Sequence, residues 1–163
     1  MIRSTAAVLV LGLALSGPAH AACEGLGWPL DRERAQLNGP HDPVSSGETR
    51  NALPDRAIEL ALEPAADAML PVVSGKSPAP GTFAGYIILP VERDGDYFIS
   101  LSREGWIDAV QGGATVASAA HTGDPACPGL RKSVRFPLRA EPLLLEISNV
   151  PSDHIAIAIT PAP

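Results

Sequence analysis

The sequence predicts an all-β protein, a two-sheet antiparallel β-sandwich, and three observations carry that expectation. Short runs in which apolar and polar residues alternate recur from Ile58 to Ile159, the period expected of half-buried strands. Seventeen prolines and fifteen glycines fall mostly between those runs, where they punctuate turns and would interrupt helices. Most runs have a single apolar face, which suits two sheets that share one core.

The elements follow in order. Residues 1–21 have the form of a signal peptide, with a positive start at Met1-Ile2-Arg3, an apolar run from Ala6 to Leu15, and a small-residue cleavage site at Ala19-His20-Ala21. The apolar run is about half the length that crosses a bilayer, and nothing later approaches roughly 20 unbroken apolar residues. The expected product therefore begins at Ala22 and is a soluble protein of the periplasm or the medium, with no transmembrane segment. Lipid attachment at Cys23 is not expected, because His20 stands where a lipoprotein signal has an apolar residue.

Residues 22–55 form an N-terminal extension and loop ahead of a sandwich domain over 56–163. A short helical turn is expected over Asp31–Leu37, capped by Asp31, with Leu30, Ala35 and Leu37 facing the body. From Asn38 to Asn51 the chain is polar and broken by Gly39, Pro40, Pro43 and Gly47, which predicts an irregular loop. About nine strands follow, over 58–62, 69–73, 83–91, 97–101, 106–111, 115–119, 133–138, 143–148 and 155–159. Tight hairpin turns are expected at Asp94-Gly95 and Gly112-Gly113.

The order of signals from Phe83 to Ile159 runs Phe-Ala-Gly-Tyr-Ile-Ile-Leu-Pro, Asp-Gly-Asp-Tyr-Phe-Ile-Ser-Leu, Trp-Ile-Asp-Ala-Val, then Phe-Pro-Leu with Leu-Leu-Leu-Glu-Ile. It resembles the modules of the galactose-binding-like superfamily and of the bacterial pre-peptidase C-terminal type, and Gly95-Asp96-Tyr97 is similar to their Gly-x-Tyr strand entry. The resemblance covers about half the chain. It implies a jelly-roll arrangement of the sandwich and a binding role, and it carries no site residues onto this sequence.

Charge and cysteine content narrow the function. The chain has 12 basic and 18 acidic residues, and loss of Arg3 with the leader makes the net charge of the processed protein −7. That balance excludes nucleic acid and anionic membrane as main partners, since basic patches bind both. Cys23 and Cys127, an even pair in an exported chain, predict a disulfide that clamps the new N-terminus onto the body.

Several groups are candidates for chemistry. Trp106, Asp108 and Gln111 form the best candidate ligand patch, with core packing as the alternative for the indole. Arg131-Lys132 and Arg135 add a cationic spot or line a solvated strand face. His121, His154 and Asp124 are candidate metal ligands, with His41, Asp42 and Asp153 as further members of that set, although no His-x-His or His-Glu-x-x-His spacing occurs. Glu92, Asp94 and Asp96 surround one turn and offer oxygen ligands for calcium, or serve the turn alone. No Gly-x-Ser-x-Gly elbow and no phosphate-binding glycine loop are present. The expected function is a non-catalytic binding module for a glycan, an envelope component or a secreted protein, with no required cofactor. The alternatives are a small metal-dependent enzyme, an oxygenase or hydrolase, and a structural subunit of an envelope complex.

Overall fold

The computed structural model describes residues 23–163; the expected leader and cleavage site lie outside them. A seven-residue helix, α1 (Asp31–Leu37), precedes twelve strands. These are β1 (Asp42–Ser45), β2 (Glu48–Thr49), β3 (Ile58–Ala61), β4 (Glu63–Pro64), β5 (Phe83–Leu89), β6 (Gly95–Leu101), β7 (Trp106–Gln111), β8 (Ala114–Thr115), β9 (Ala120–Thr122), β10 (Lys132–Leu138), β11 (Leu143–Val150) and β12 (His154–Pro161). Among the described residues no helix is long and apolar enough to cross a membrane.

The strands form two six-stranded sheets. The first has the order β1-β3-β12-β6-β10-β9, and the second β2-β5-β11-β7-β8 with β4 also on β5. Without the edge additions the orders are 3-12-6-10 and 5-11-7-8, the interleaving of a jelly roll, in which most successive long strands alternate between the sheets. The ladders of the body are antiparallel. The sandwich is not antiparallel throughout, because β1 pairs with β3 and β2 with β5 in parallel.

Those two parallel edges correct the loop expected over 38–51. Val44 is buried in the core, so a Pro- and Gly-rich stretch still delivers one strand to each sheet. The chain passes between them through Gly47, whose φ of +86° favours glycine and whose Cβ, if it had one, would lie 3.3 Å from the Tyr86 hydroxyl. The strand expected over 69–73 is instead irregular, and the run expected over 115–119 is strand only at Thr115, although Val116 and Ala119 N–H still donate to the carbonyls of Ala109 and Arg135 at 2.7 and 2.8 Å.

Asp94-Gly95 does not close a hairpin, because β5 and β6 belong to different sheets and the segment between them crosses over the sandwich. Gly112-Gly113 does close one. Val110 pairs with Thr115 and Gln111 with Ala114, and both glycines have the positive φ, +58° and +79°, that a two-residue turn of this hand demands.

The core lies between the sheets. Ile58, Leu60, Ile99, Leu101, Ile155 and Ile157 of the first sheet meet Ile87, Leu89, Leu143, Leu145 and Ile147 of the second, each completely shielded from water. Full burial of one such side chain stabilises by roughly 1.5–3 kcal/mol.

A second apolar layer covers the outer face of the first sheet. Leu30 and Leu37 pack there against Phe98, Leu130, Ala156 and Ala158, and Trp28 stacks on Phe98 with ring centres 5.4 Å apart. Small side chains on β12 let α1 approach closely. Within this layer Ser100 donates to Ser133 at 2.8 Å and the Thr160 hydroxyl donates to Glu33, which satisfies those buried polar groups, while the Trp28 Nε1 has no hydrogen-bond partner.

The helix differs from the expectation in two details. Leu30, not Asp31, occupies the cap position and makes no side-chain cap. Ala35 is exposed, and Glu33 turns inward with Leu30 and Leu37, because these three positions share one face of a helix. Cys23 and Cys127 form the expected disulfide, 104 residues apart in sequence.

Candidate functional site

The central strands of the second sheet, β11 and β7, carry polar side chains on their outer face. Glu146 pairs in register with Asp108, and Ser148 with Trp106. The segment over 70–79 straps across this face and is tied to it by hydrogen bonds. Val72 N–H donates to Glu146 Oε1 at 2.8 Å. Ser74 Oγ and Gly75 N–H donate to Asp108 Oδ2 at 2.9 and 3.0 Å, and Ala79 N–H donates to Asn149 Oδ1 at 2.9 Å.

Asp108 also fixes the indole, since Trp106 Nε1 donates to its Oδ1 at 3.0 Å. Its two oxygens are thus committed to the protein. Glu146 is only 1 % exposed, and its Oε2 has no hydrogen-bond partner. Burial pushes its pKa above the usual carboxylate range; the Val72 N–H opposes that shift, and the Asp108 charge adds to it.

Trp106 opens onto a cleft of about 430 Å³ at the edge of the sandwich. Ile107 and Asp108 of β7, the segment Thr115–Ser118, His121 of β9, and Lys132 and Phe136 of β10 line it. Its floor belongs to the core and is apolar. Its rim is cationic: the Lys132 ammonium lies 5.2 Å from the indole centre and the Lys76 ammonium 5.8 Å, both in cation–π contact.

Local sequence explains the placement. Gly105 is buried in a tight approach, where a Cβ would come within 3.2 Å of Leu101 and Val150, so the turn before β7 folds hard against the body and presents Trp106 at the strand start. The Gly105 carbonyl then accepts from Lys132 Nζ at 3.4 Å. Burial holds the Lys132 pKa below the ordinary lysine value; Glu104 opposes the shift, and Lys76 and Arg131 add to it.

Of the residues singled out by sequence, the cleft brings together Trp106, Asp108, His121 and Lys132. Gln111 lies at the far end of β7 and on its other face. There it donates to the carbonyls of Arg139 and Glu141 at 3.0 and 3.1 Å and accepts from Arg139 N–H at 3.0 Å, closing the turn between β10 and β11. Arg131 pairs with Glu104 at 2.6 Å and Arg135 with Asp96 at 3.7 Å, leaving Lys132 alone of that cationic spot to serve the cleft.

His121, His154 and Asp124 do not meet. His121 is on the edge strand β9, His154 begins β12, and Asp124 accepts from Gly25 and Ala126 N–H at 3.3 and 2.8 Å. His154 is engaged by Asp153 at 2.7 Å, which holds the exposed Asp153 carboxyl below its usual range. His41 contacts the Leu37 carbonyl at 3.0 Å, and Asp42 pairs with Arg56 at 3.6 Å. At the turn before β6, Asp94 accepts from Ala140 N–H at 2.7 Å and Asp96 faces Arg135, while Glu92 is exposed. Among the described residues no three His, Cys, Asp or Glu side chains gather in a group able to hold a metal ion.

Sequence reasoning missed Lys76, Val116 and Glu146. Glu146 had a signal, as the one charge within Leu-Leu-Leu-Glu-Ile-Ser; Lys76 had none, because its partner lies 30 residues away. No known family, curated protein or solved structure matches the chain. Fold and cleft define a jelly-roll-like sandwich with an indole and two ammonium groups at the mouth of a concave site.

Proposed function

We infer that this protein is an exported, non-catalytic binding module whose ligand is a glycan of the cell envelope or its surroundings, held in the Trp106 cleft. The observation that carries the reading is a half-buried indole, oriented by a hydrogen bond to Asp108, at the mouth of a cleft large enough for one or two sugar residues. A fixed aromatic face with polar neighbours suits the C–H face and hydroxyls of a sugar. The disulfide agrees with export to an oxidising compartment, and the resemblance of residues 83–159 to galactose-binding-like modules points the same way.

Intrinsic fluorescence tests it. The chain has two tryptophans, so a Trp28→Phe variant reports on Trp106 alone. A saturable change in emission with members of a glycan panel, lost in Trp106→Ala, is the expected result; no response to any member would overturn the reading.

A further inference from the structure

The chain is acidic overall and has only two lysines, Lys76 and Lys132. They come from the strap and from β10, 56 positions apart in sequence, and both place their ammonium groups over the same indole. Among the described residues neither takes part in an ion pair. Glu104, a carboxylate near Lys132, is committed to Arg131 at 2.6 Å, and Asp108 to Ser74, Gly75 and Trp106. Lys132 is partly withdrawn from water with a single carbonyl as acceptor, a costly state for an ammonium group whose nearby carboxylate, Glu104, is already paired with Arg131. His121 stands on the same cleft.

We propose that the cleft selects an acidic glycan, with the carboxylate of a uronic acid or similar sugar bound between Lys132 and Lys76 beside Trp106. The inference rests on the glycan reading above and adds the charge of the sugar. A carboxylated sugar supplies the two features the site matches, a C–H face for the indole and an anion for ammonium groups that the protein itself leaves unpaired. The net negative charge of the protein repels anions elsewhere and makes this rim the selective point.

The test uses the full processed protein and a panel in which each uronic-acid oligosaccharide is matched by its carboxyl-reduced, neutral form. The acidic member should bind at least about tenfold more tightly, as expected of a charge-assisted hydrogen bond, and that advantage should shrink as salt rises from 50 to 500 mM. Lys132→Met, which keeps the apolar stem, and Lys76→Met, at an exposed position, should each reduce the advantage, while Trp106→Ala removes binding of both forms. Equal binding of matched forms, still dependent on Trp106, would overturn the acidic specificity and leave the glycan site standing. Binding of no panel member in either form would overturn both.

Discussion

Replacing both Cys23 and Cys127 by serine should lower stability by about 4–5 kcal/mol. The bridge spans 104 residues, and a closed loop of that length removes chain entropy from the unfolded state worth about 4.7 kcal/mol at 25 °C. Noncovalent contacts hold the same segment. Leu30 and Leu37 are buried, Trp28 stacks on Phe98, and Gly27 N–H donates to Thr122 Oγ1 at 2.7 Å. The folded form of the variant should therefore keep its cover, and the loss should appear as a lower urea midpoint. For a domain of this size the melting temperature should fall by roughly 10–20 °C. Urea unfolding followed by Trp106 emission, in the Trp28→Phe background, measures the change. A loss below about 1 kcal/mol would refute the entropy argument. Rapid hydrogen exchange over 31–37 in the variant under native conditions would show that the bridge, not packing, holds the cover in place.

Other outcomes follow from the core, the hairpin and the buried carboxyl. Leu145→Ala, at a position with no solvent exposure, should cost about 2–5 kcal/mol in urea unfolding, whereas truncating the exposed Met69 should change stability by less than about 0.5 kcal/mol. Gly113→Ala, at φ +79° with no atom near the added Cβ, should cost about 1 kcal/mol from backbone strain alone, and Gly113→Asn should recover part of it. Glu146 has a folded pKa above its ordinary 4.5, so the native state binds more protons than the unfolded one between those values. Its effect on stability is thus most favourable below about 4.5 and declines as pH rises through the folded pKa. Glu146→Gln keeps an oxygen for Val72 N–H and should remove that decline, so the variant gains on the parent as pH rises; parallel pH–stability profiles would refute the assignment.

The alternation of Ile99, Leu101, Val134, Phe136, Leu145 and Ile147 was enough to place the strands that make the core, because a period-two pattern is a local consequence of one-sided burial. The pattern was silent about Ser100, Ala156, Ala158 and Thr160. These small or polar residues look solvent-facing by period, yet all four are buried, and which distant segment covers a sheet is not a local property. Asp94-Gly95 looked like a hairpin because turn chemistry names a reversal without saying which sheet the chain enters next. At the site, Trp106 was legible as an indole without a core pattern around it. Its role with Lys76 was not, because the strap that carries Lys76 is held by backbone N–H groups of Val72 and Gly75 whose acceptors, Glu146 and Asp108, lie far along the chain.

The first sheet is stitched from both ends of the described chain. Strand β12 lies between β3 and β6 and bears α1 on its outer face, so an early segment of the described chain rests on a late one. Until His154–Pro161 arrives, β3 lacks its antiparallel neighbour and Leu30 and Leu37 lack the Ala156 and Ala158 surface they bury. Assembly is therefore governed by contacts of high sequence separation, which slow folding through the cost of loop closure. The chain would remain largely unassembled until β12 is available, leaving an interval in which Cys23 is open to oxidation with the wrong thiol and in which folding helpers can act on it.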